Sequence, residues 1–202
     1  MKNLLTTIFF FVSVIAYAQS GFNHLKFMGI PINGPMERFH SNLIEKGCTY
    51  DSTTTSFLSA GACAFNGILA GYKVRIYVYY NPKSQTVYRV KALIEDMSEK
   101  IADIRYIKFK ELLSLKYGNI FALTDQNDGK ECISFIAVKE NVTSNDFESM
   151  TKISDIGLGT IDLYFTKDED DLDNELNNYS INIDYLDAVN SENNEKDVLD
   201  SL

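Results

Sequence analysis

Two histidines, His24 and His40, and three cysteines, Cys48, Cys63 and Cys132, are where proton-transfer, nucleophilic or zinc chemistry would have to begin in this chain. Imidazole and thiolate are the groups that shuttle protons near neutral pH or bind zinc, so a triad or a zinc site must draw on them. Neither histidine stands in an H-E-x-x-H pattern, and no G-x-S-x-G occurs. His40 follows Phe39 within a helical pattern, where a histidine on the polar side is the ordinary outcome. Cys48 follows Gly47, with no adjacent base or cation to lower a thiol pKa. The sequence nominates no catalytic residue, no metal ligand and no cofactor. A hydrolase whose catalytic group comes from loops is one alternative, with His24 or His40 beside an acid in a pocket as its signature, and a purely structural component is the other.

Clustered carboxylates are the other source of chemistry. Asp168 to Glu175 (DEDDLDNE) invites a calcium reading, but the loop spacing fails. Counted from Asp171, the sixth position is Leu176 where a glycine is needed, and the twelfth is Asn182 where a glutamate is needed. The run reads as a solvated loop between strands, because packed carboxylates repel one another and stay extended. Asp125-Gln126-Asn127-Asp128-Gly129 likewise reads as a hairpin turn.

Net charge is −9, and its placement matters more than its size. From Lys167 onward there are two lysines against twelve acids, so the body before it is close to neutral. A near-neutral body argues against nucleic acid as a partner, because phosphate binding needs clustered Lys and Arg.

The elements that would position any site follow from hydrophobic spacing. Met36, Phe39, Leu43 and Ile44 recur at helical intervals after Pro35, and Gly47 supplies the left-handed stop. Leu58 to Phe65 reads as a strand. Tyr72 to Tyr80 (YKVRIYVYY) alternates strictly, and Val87 to Ile94 answers it across Asn81-Pro82-Lys83-Ser84, predicting an antiparallel hairpin. Tyr72, Val74, Ile76, Val78 and Tyr80 take one face, matched by Tyr88, Val90, Ala92 and Ile94. Cys48 and Cys63 flank the polar run Ser52 to Ser56; if that run is a hairpin loop they face each other and could bond, and otherwise they are buried thiols. A helix from Ser98 carries the stripe Ala102, Tyr106, Phe109, Leu113, Tyr117 and stops at Gly118. Strands are predicted at Cys132–Val138, Ile161–Phe165 and Ser180–Tyr185, with a helical turn over Thr143–Met150 capped by Thr143 and Asp146. A helix followed by antiparallel strands, twice over, is an α+β fold: two tandem repeats forming one or two sheets packed by helices.

The alternation also picks out an exposed surface. With the aliphatics inward, Lys73, Arg75, Tyr77, Tyr79, Arg89 and Lys91 face outward, and the later strands turn Asp162, Tyr164, Asn182 and Asp184 the same way. Tyr and Arg are favoured at protein interfaces because they bury area and still hydrogen-bond. These six cationic and aromatic residues are the candidate binding set, for another envelope protein or a peptide.

The N-terminus supplies a destination. Lys2, the apolar run Leu4–Ala16 and Ala16-Tyr17-Ala18 have the form of a secretory signal covering residues 1–18. The run is shorter than the roughly twenty residues of a membrane span, and no later stretch could cross a bilayer. The expected organisation is signal 1–18, repeats 19–97 and 98–189, and an acidic flexible tail 190–202, in the periplasm or outside the cell.

Leu112-Leu113-Ser114-Leu115-Lys116-Tyr117-Gly118 followed by a strand, with its counterpart Leu43-Ile44-Glu45-Lys46-Gly47, resembles the tandem β-lactamase-inhibitor-protein-like fold shared in single copy by outer-membrane assembly lipoproteins. His24-Leu25-Lys26-Phe27-Met28-Gly29-Ile30-Pro31 and Leu69-Ala70-Gly71-Tyr72 are similar to an uncharacterised family of exported proteins from Bacteroides-type bacteria. The resemblance implies no activity and no functional residue. No cysteine follows the apolar run, which departs from the lipoprotein group.

Overall fold

A computed structural model describes residues 24–118, 120–125, 131–139, 142, 144–167 and 179–200. The expected signal, the capping residue Thr143 and the acidic run 168–175 lie outside them. The chain opens with a two-residue hairpin, β1 (Lys26–Phe27) and β2 (Ile30–Pro31). Met28 and Gly29 turn it with φ of 51° and 82°, the two left-handed positions that match strand twist. Leu25, Phe27, Ile30 and Ile32 are all buried, so this hairpin fills part of the core.

Helix α1 (Met36–Glu45) follows, then β3 (Thr49–Tyr50), a helical turn α2 (Ser52–Thr55), β4 (Ala62–Leu69), β5 (Tyr72–Tyr80) and β6 (Val87–Met97). The second set is α3 (Glu99–Tyr117), β7 (Ile120–Asp125), β8 (Glu131–Val138), short helices α4 (Ser144–Ser149) and α5 (Ile153–Ile156), β9 (Gly157–Lys167), β10 (Tyr179–Asp187) and α6 (Ala188–Leu199). The class is α+β, as expected. One eight-stranded antiparallel sheet runs β3-β4-β5-β6-β10-β9-β8-β7. Residues 19–97 and 98–189 thus contribute four strands each, and the last strand of each set meets in the middle.

The register builds the core directly. Phe65, Ile76, Ala92, Ile183, Leu163 and Ile133 form one row across six strands, and each is 0% exposed. Each fully buried aliphatic or aromatic side chain in such a row is worth about 1.5–3 kcal/mol. Against this face lie α1, through Met36, Phe39 and Leu43, and α3, through Ala102, Tyr106, Phe109 and Leu113. The Tyr106 ring stacks on Phe165 at 4.6 Å.

Several expectations are corrected. Ile44 is 45% exposed, because its neighbour Leu43 already occupies the inward line set by Met36 and Phe39. The strand expected at Leu58–Phe65 begins only at Ala62. Asp51 accepts hydrogen bonds from the Thr54 amide (2.9 Å) and hydroxyl (2.7 Å), which winds the polar run into α2. That moves the cysteines out of step. Thr49 pairs with Asn66, placing Cys48 beside Gly67, and both Cys48 and Cys63 are buried free thiols. Tyr88 is only half-buried and Val87 takes the core position at 0% exposure, because a bulge inserts one residue opposite Tyr79/Tyr80.

The acidic end is not a frayed tail: Ala188–Leu199 is helical and docked. Asp187 caps α6 by accepting from the Asn190 amide at 3.0 Å. The Asn190 side chain donates to the carbonyls of Ile32 (2.8 Å) and Val87 (3.1 Å), and Asn81 donates to Asp197 at 2.9 Å. Composition reports the exposed side of this helix and hides its two anchoring polar residues. Replacing Asn190→Ala orphans two buried carbonyls and is expected to cost about 2 kcal/mol. Urea unfolding would measure the loss, and hydrogen exchange would show 188–199 opening before the sheet.

Candidate functional site

One step along each strand from the core row lies its outward counterpart. Ala64, Tyr77, Lys91, Asp184, Asp162 and Ser134 stand in register across the same six strands. The basic and acidic halves read from the sequence are therefore neighbours on one face, joined where β6 meets β10. Asp184 is 5% exposed; Arg89 donates to it from Nε at 2.8 Å and from Nη2, a two-pronged pair. The same guanidinium lies 5.1 Å from the centre of the Tyr79 ring, and Lys91 Nζ lies 5.5 Å from that of Tyr164. Asn182, 1% exposed, donates to Thr166 Oγ1 at 2.9 Å.

This face is a shared electrostatic lattice more than a row of independent charges. The hydrogen bonds from Arg89 to Asp184 push the guanidinium further up. Burial pulls the Lys91 ammonium down and pushes the Tyr79 hydroxyl up and the Tyr164 hydroxyl to about 12. Burial also raises the Asp162 carboxyl above its ordinary value, with the nearby Asp184 adding to the rise and a hydrogen bond with Ser134 opposing it. Two acids directly opposite on neighbouring strands repel, so Asp162 costs stability when charged.

The six candidate residues fall into two groups. Tyr77, Tyr79, Arg89 and Lys91 belong to the lattice around the seam. Lys73 and Arg75 sit toward the other end of β5, where Arg75 Nη1 bonds Glu95 at 3.0 Å and Lys73 is exposed. Helix α6 borders the lattice end of the face, near Thr160 and Leu186. Arg105 and Lys108 of α3 were missed by strand reasoning. They reach the Tyr72 ring at 4.9 and 5.6 Å, and only their place off the helix stripe could have signalled it. A separate surface lies on α3 itself: Ile101, Ile104, Ile107, Leu112 and Leu115 are between 40% and 85% exposed. This helix is apolar on both sides.

The chemistry-bearing residues are otherwise engaged. His40 stacks on Tyr50 at 5.3 Å and meets the edge of Phe65 at 5.0 Å. Burial pushes the Cys63 thiol up to about 12 and raises Cys48, which keeps both protonated. His24 Nδ1 lies 3.1 Å from Asp187 Oδ1 and borders a cavity of about 280 Å³ with Tyr117. The cavity lining includes no serine, threonine or cysteine, and Asp187 also accepts from the Leu25 amide at 2.9 Å. Among the described residues no three His, Cys, Asp or Glu side chains are grouped to hold a metal ion. None of the described helices is long and apolar enough to cross a membrane.

No family model matches the chain, and neither the curated proteins nor the solved structures contain a match.

Two outcomes follow from the lattice. Arg89→Gln leaves Asp184 buried without its ion partner. Because Arg89 is 40% exposed, the expected loss is about 1–2 kcal/mol by denaturant titration, below the ~3–5 kcal/mol of a fully buried pair. For Asp162, a raised folded pKa means the stability it contributes is present below the unfolded value of about 4 and is lost as pH rises through the folded one. Asp162→Asn should therefore melt higher than the native chain at neutral pH, and the two should converge in acid. A gap that persists unchanged in acid would contradict the assignment.

Proposed function

We propose that the chain is an exported, non-enzymatic binding module of the bacterial envelope, and that it grips a protein or peptide with the outward face of its sheet. The observation that carries this reading is the outward row itself. Tyrosines and cations of β5 and β6 stand beside Asp184 of β10 and beside Asp162 and Tyr164 of β9, on the side opposite the packing of α1 and α3. Their side chains are pre-positioned by ion pairs and ring contacts, so little rotamer freedom is lost on binding. Export is supported by the basic, apolar and A-x-A order of residues 1–18. N-terminal sequencing of the protein recovered from the envelope should begin at Gln19.

Kinship with exported proteins of Bacteroides-type bacteria is part of the proposal. Its motifs fall on tight turns, Met28-Gly29 and Ala70-Gly71, where all four residues have positive φ.

A photo-reactive amino acid placed at Tyr77 tests the face, with a second placed at Ile104 on α3. In whole cells the Tyr77 probe should give a discrete adduct and the Ile104 probe none. Adducts at Ile104 alone would move the contact to the α3 stripe and overturn this reading.

The His24–Asp187 pair is the observation that favours a hydrolase instead. With no nucleophile lining its cavity, the imidazole would have to activate water. A hydrolytic activity lost in His24→Ala, with the melting temperature retained, would establish that reading.

A further inference from the structure

Strands β5 and β6 do not stay together along their whole length. Their register runs from Tyr80↔Val87 only to Arg75↔Leu93. Beyond it β6 follows β10, pairing Ile94 with Ile181 and Met97 with Tyr179, and Asp96 adopts a left-handed φ of 57°. Tyr72, Lys73 and Val74 keep β4 on one side, through Leu69, Ile68 and Gly67. On their other side no strand pairs with them among the described residues. The sheet therefore forks, and the fork is a cleft of about 750 Å³.

Its walls are specific. Lys73 and Arg75 come from β5, Arg105 from α3, and Glu95 and Asp96 from β6. Glu95 is engaged by Arg75 at 3.0 Å. Lys73 and Arg105 have no carboxylate within ion-pair distance among the described residues, and the one other acid in the lining is Asp96. Lys108 stands beside Arg105, both over the Tyr72 ring. Arg75 Nε is buried without a hydrogen-bond partner. Ile68, the register partner of Lys73, is 63% exposed and offers an apolar foothold beside the cations.

We infer that this fork is the docking site for an extended peptide segment bearing acidic side chains. The open edge of β5 supplies main-chain donors and acceptors in strand geometry, as in the addition of a strand to a sheet edge. Alternate side chains of an extended segment project to opposite sides. One set would reach Lys73 as carboxylates on the face that Ile68 shares, and the other would turn to the opposite face, toward the Tyr72 ring and the Arg105 that covers it. The cleft falls within the few-hundred to ~1,000 Å³ span of ligand pockets, and its cations give it the sign an acidic segment needs. This inference deepens the sheet-face reading, since the fork lies at the Lys73–Arg75 end of that face.

The test is fluorescence anisotropy on the purified protein with two labelled peptides, one alternating glutamate and valine, the other with glutamine in place of glutamate. Saturable binding of the glutamate peptide is expected, at least tenfold tighter than the glutamine peptide, equivalent to about 1.4 kcal/mol. The Lys73→Glu/Arg105→Glu double variant should weaken it at least tenfold, while Lys83→Gln, in the turn at the far end of β5, leaves it unchanged. On the native chain, amide chemical shifts at residues 72–74 should move on titration, which keeps the site testable if the double variant misfolds. Equal affinity for both peptides, no saturable binding, or amide shifts elsewhere would overturn the proposal. Adducts at Tyr77 with no peptide bound at the fork sink the fork alone. Peptide bound at the fork with no Tyr77 adduct sinks the wider face alone.

Discussion

The pairing of β6 with β10 is the constraint on which the rest depends. Among the described residues it is the one junction between the two sets of strands, and its register decides what the residues on either side will meet. With Ala92 opposite Ile183, six inward residues line up without a polar interruption. With Lys91 opposite Asp184, the cations of one set reach the acids of the other. A slip of one residue would turn every aliphatic outward and every charge inward. The pair between Arg89 and Asp184 crosses this same junction, so the lattice and the core enforce one alignment together. Opposite charges brought face to face reward the correct register and penalise its neighbours.

The seam also explains the fork. β6 has two partners, and near its end they diverge. It follows β10 because Ile94 and Met97 are buried along that line, while β5 at Tyr72 is drawn toward α3 by ring contact with Phe109 at 5.6 Å. Apolar burial on both sides thus opens a gap in the hydrogen-bonded ladder. What lines the gap are the side chains that such a split leaves over: long cations with water on one side.

Much of this was legible in the sequence wherever one period held. The β5–β6 hairpin, the α3 stripe and the inward-outward division of β9 and β10 are all simple alternations, and the outward set was found because Arg75 and Tyr77 bracket Ile76. Reading failed where a single polar contact outranked the pattern. Asp51 winds α2 by capping it, and that displaces β4 and separates the two cysteines. Asn190 docks a helix whose composition looks like solvent-bound tail. The bulge at Tyr88 shifts one residue and exchanges its place with Val87. The cations of α3 over Tyr72 join residues more than thirty positions apart, and only tertiary packing brings them together.

Asp187 joins distant parts of the chain through one carboxylate. It caps α6, accepts from the Leu25 amide and holds His24, while the helix it starts returns to Ile32 through Asn190. The first and last described segments are therefore clasped at a single buried point. Loss of the Asp187 carboxylate would therefore loosen the Leu25 segment and the start of α6 together.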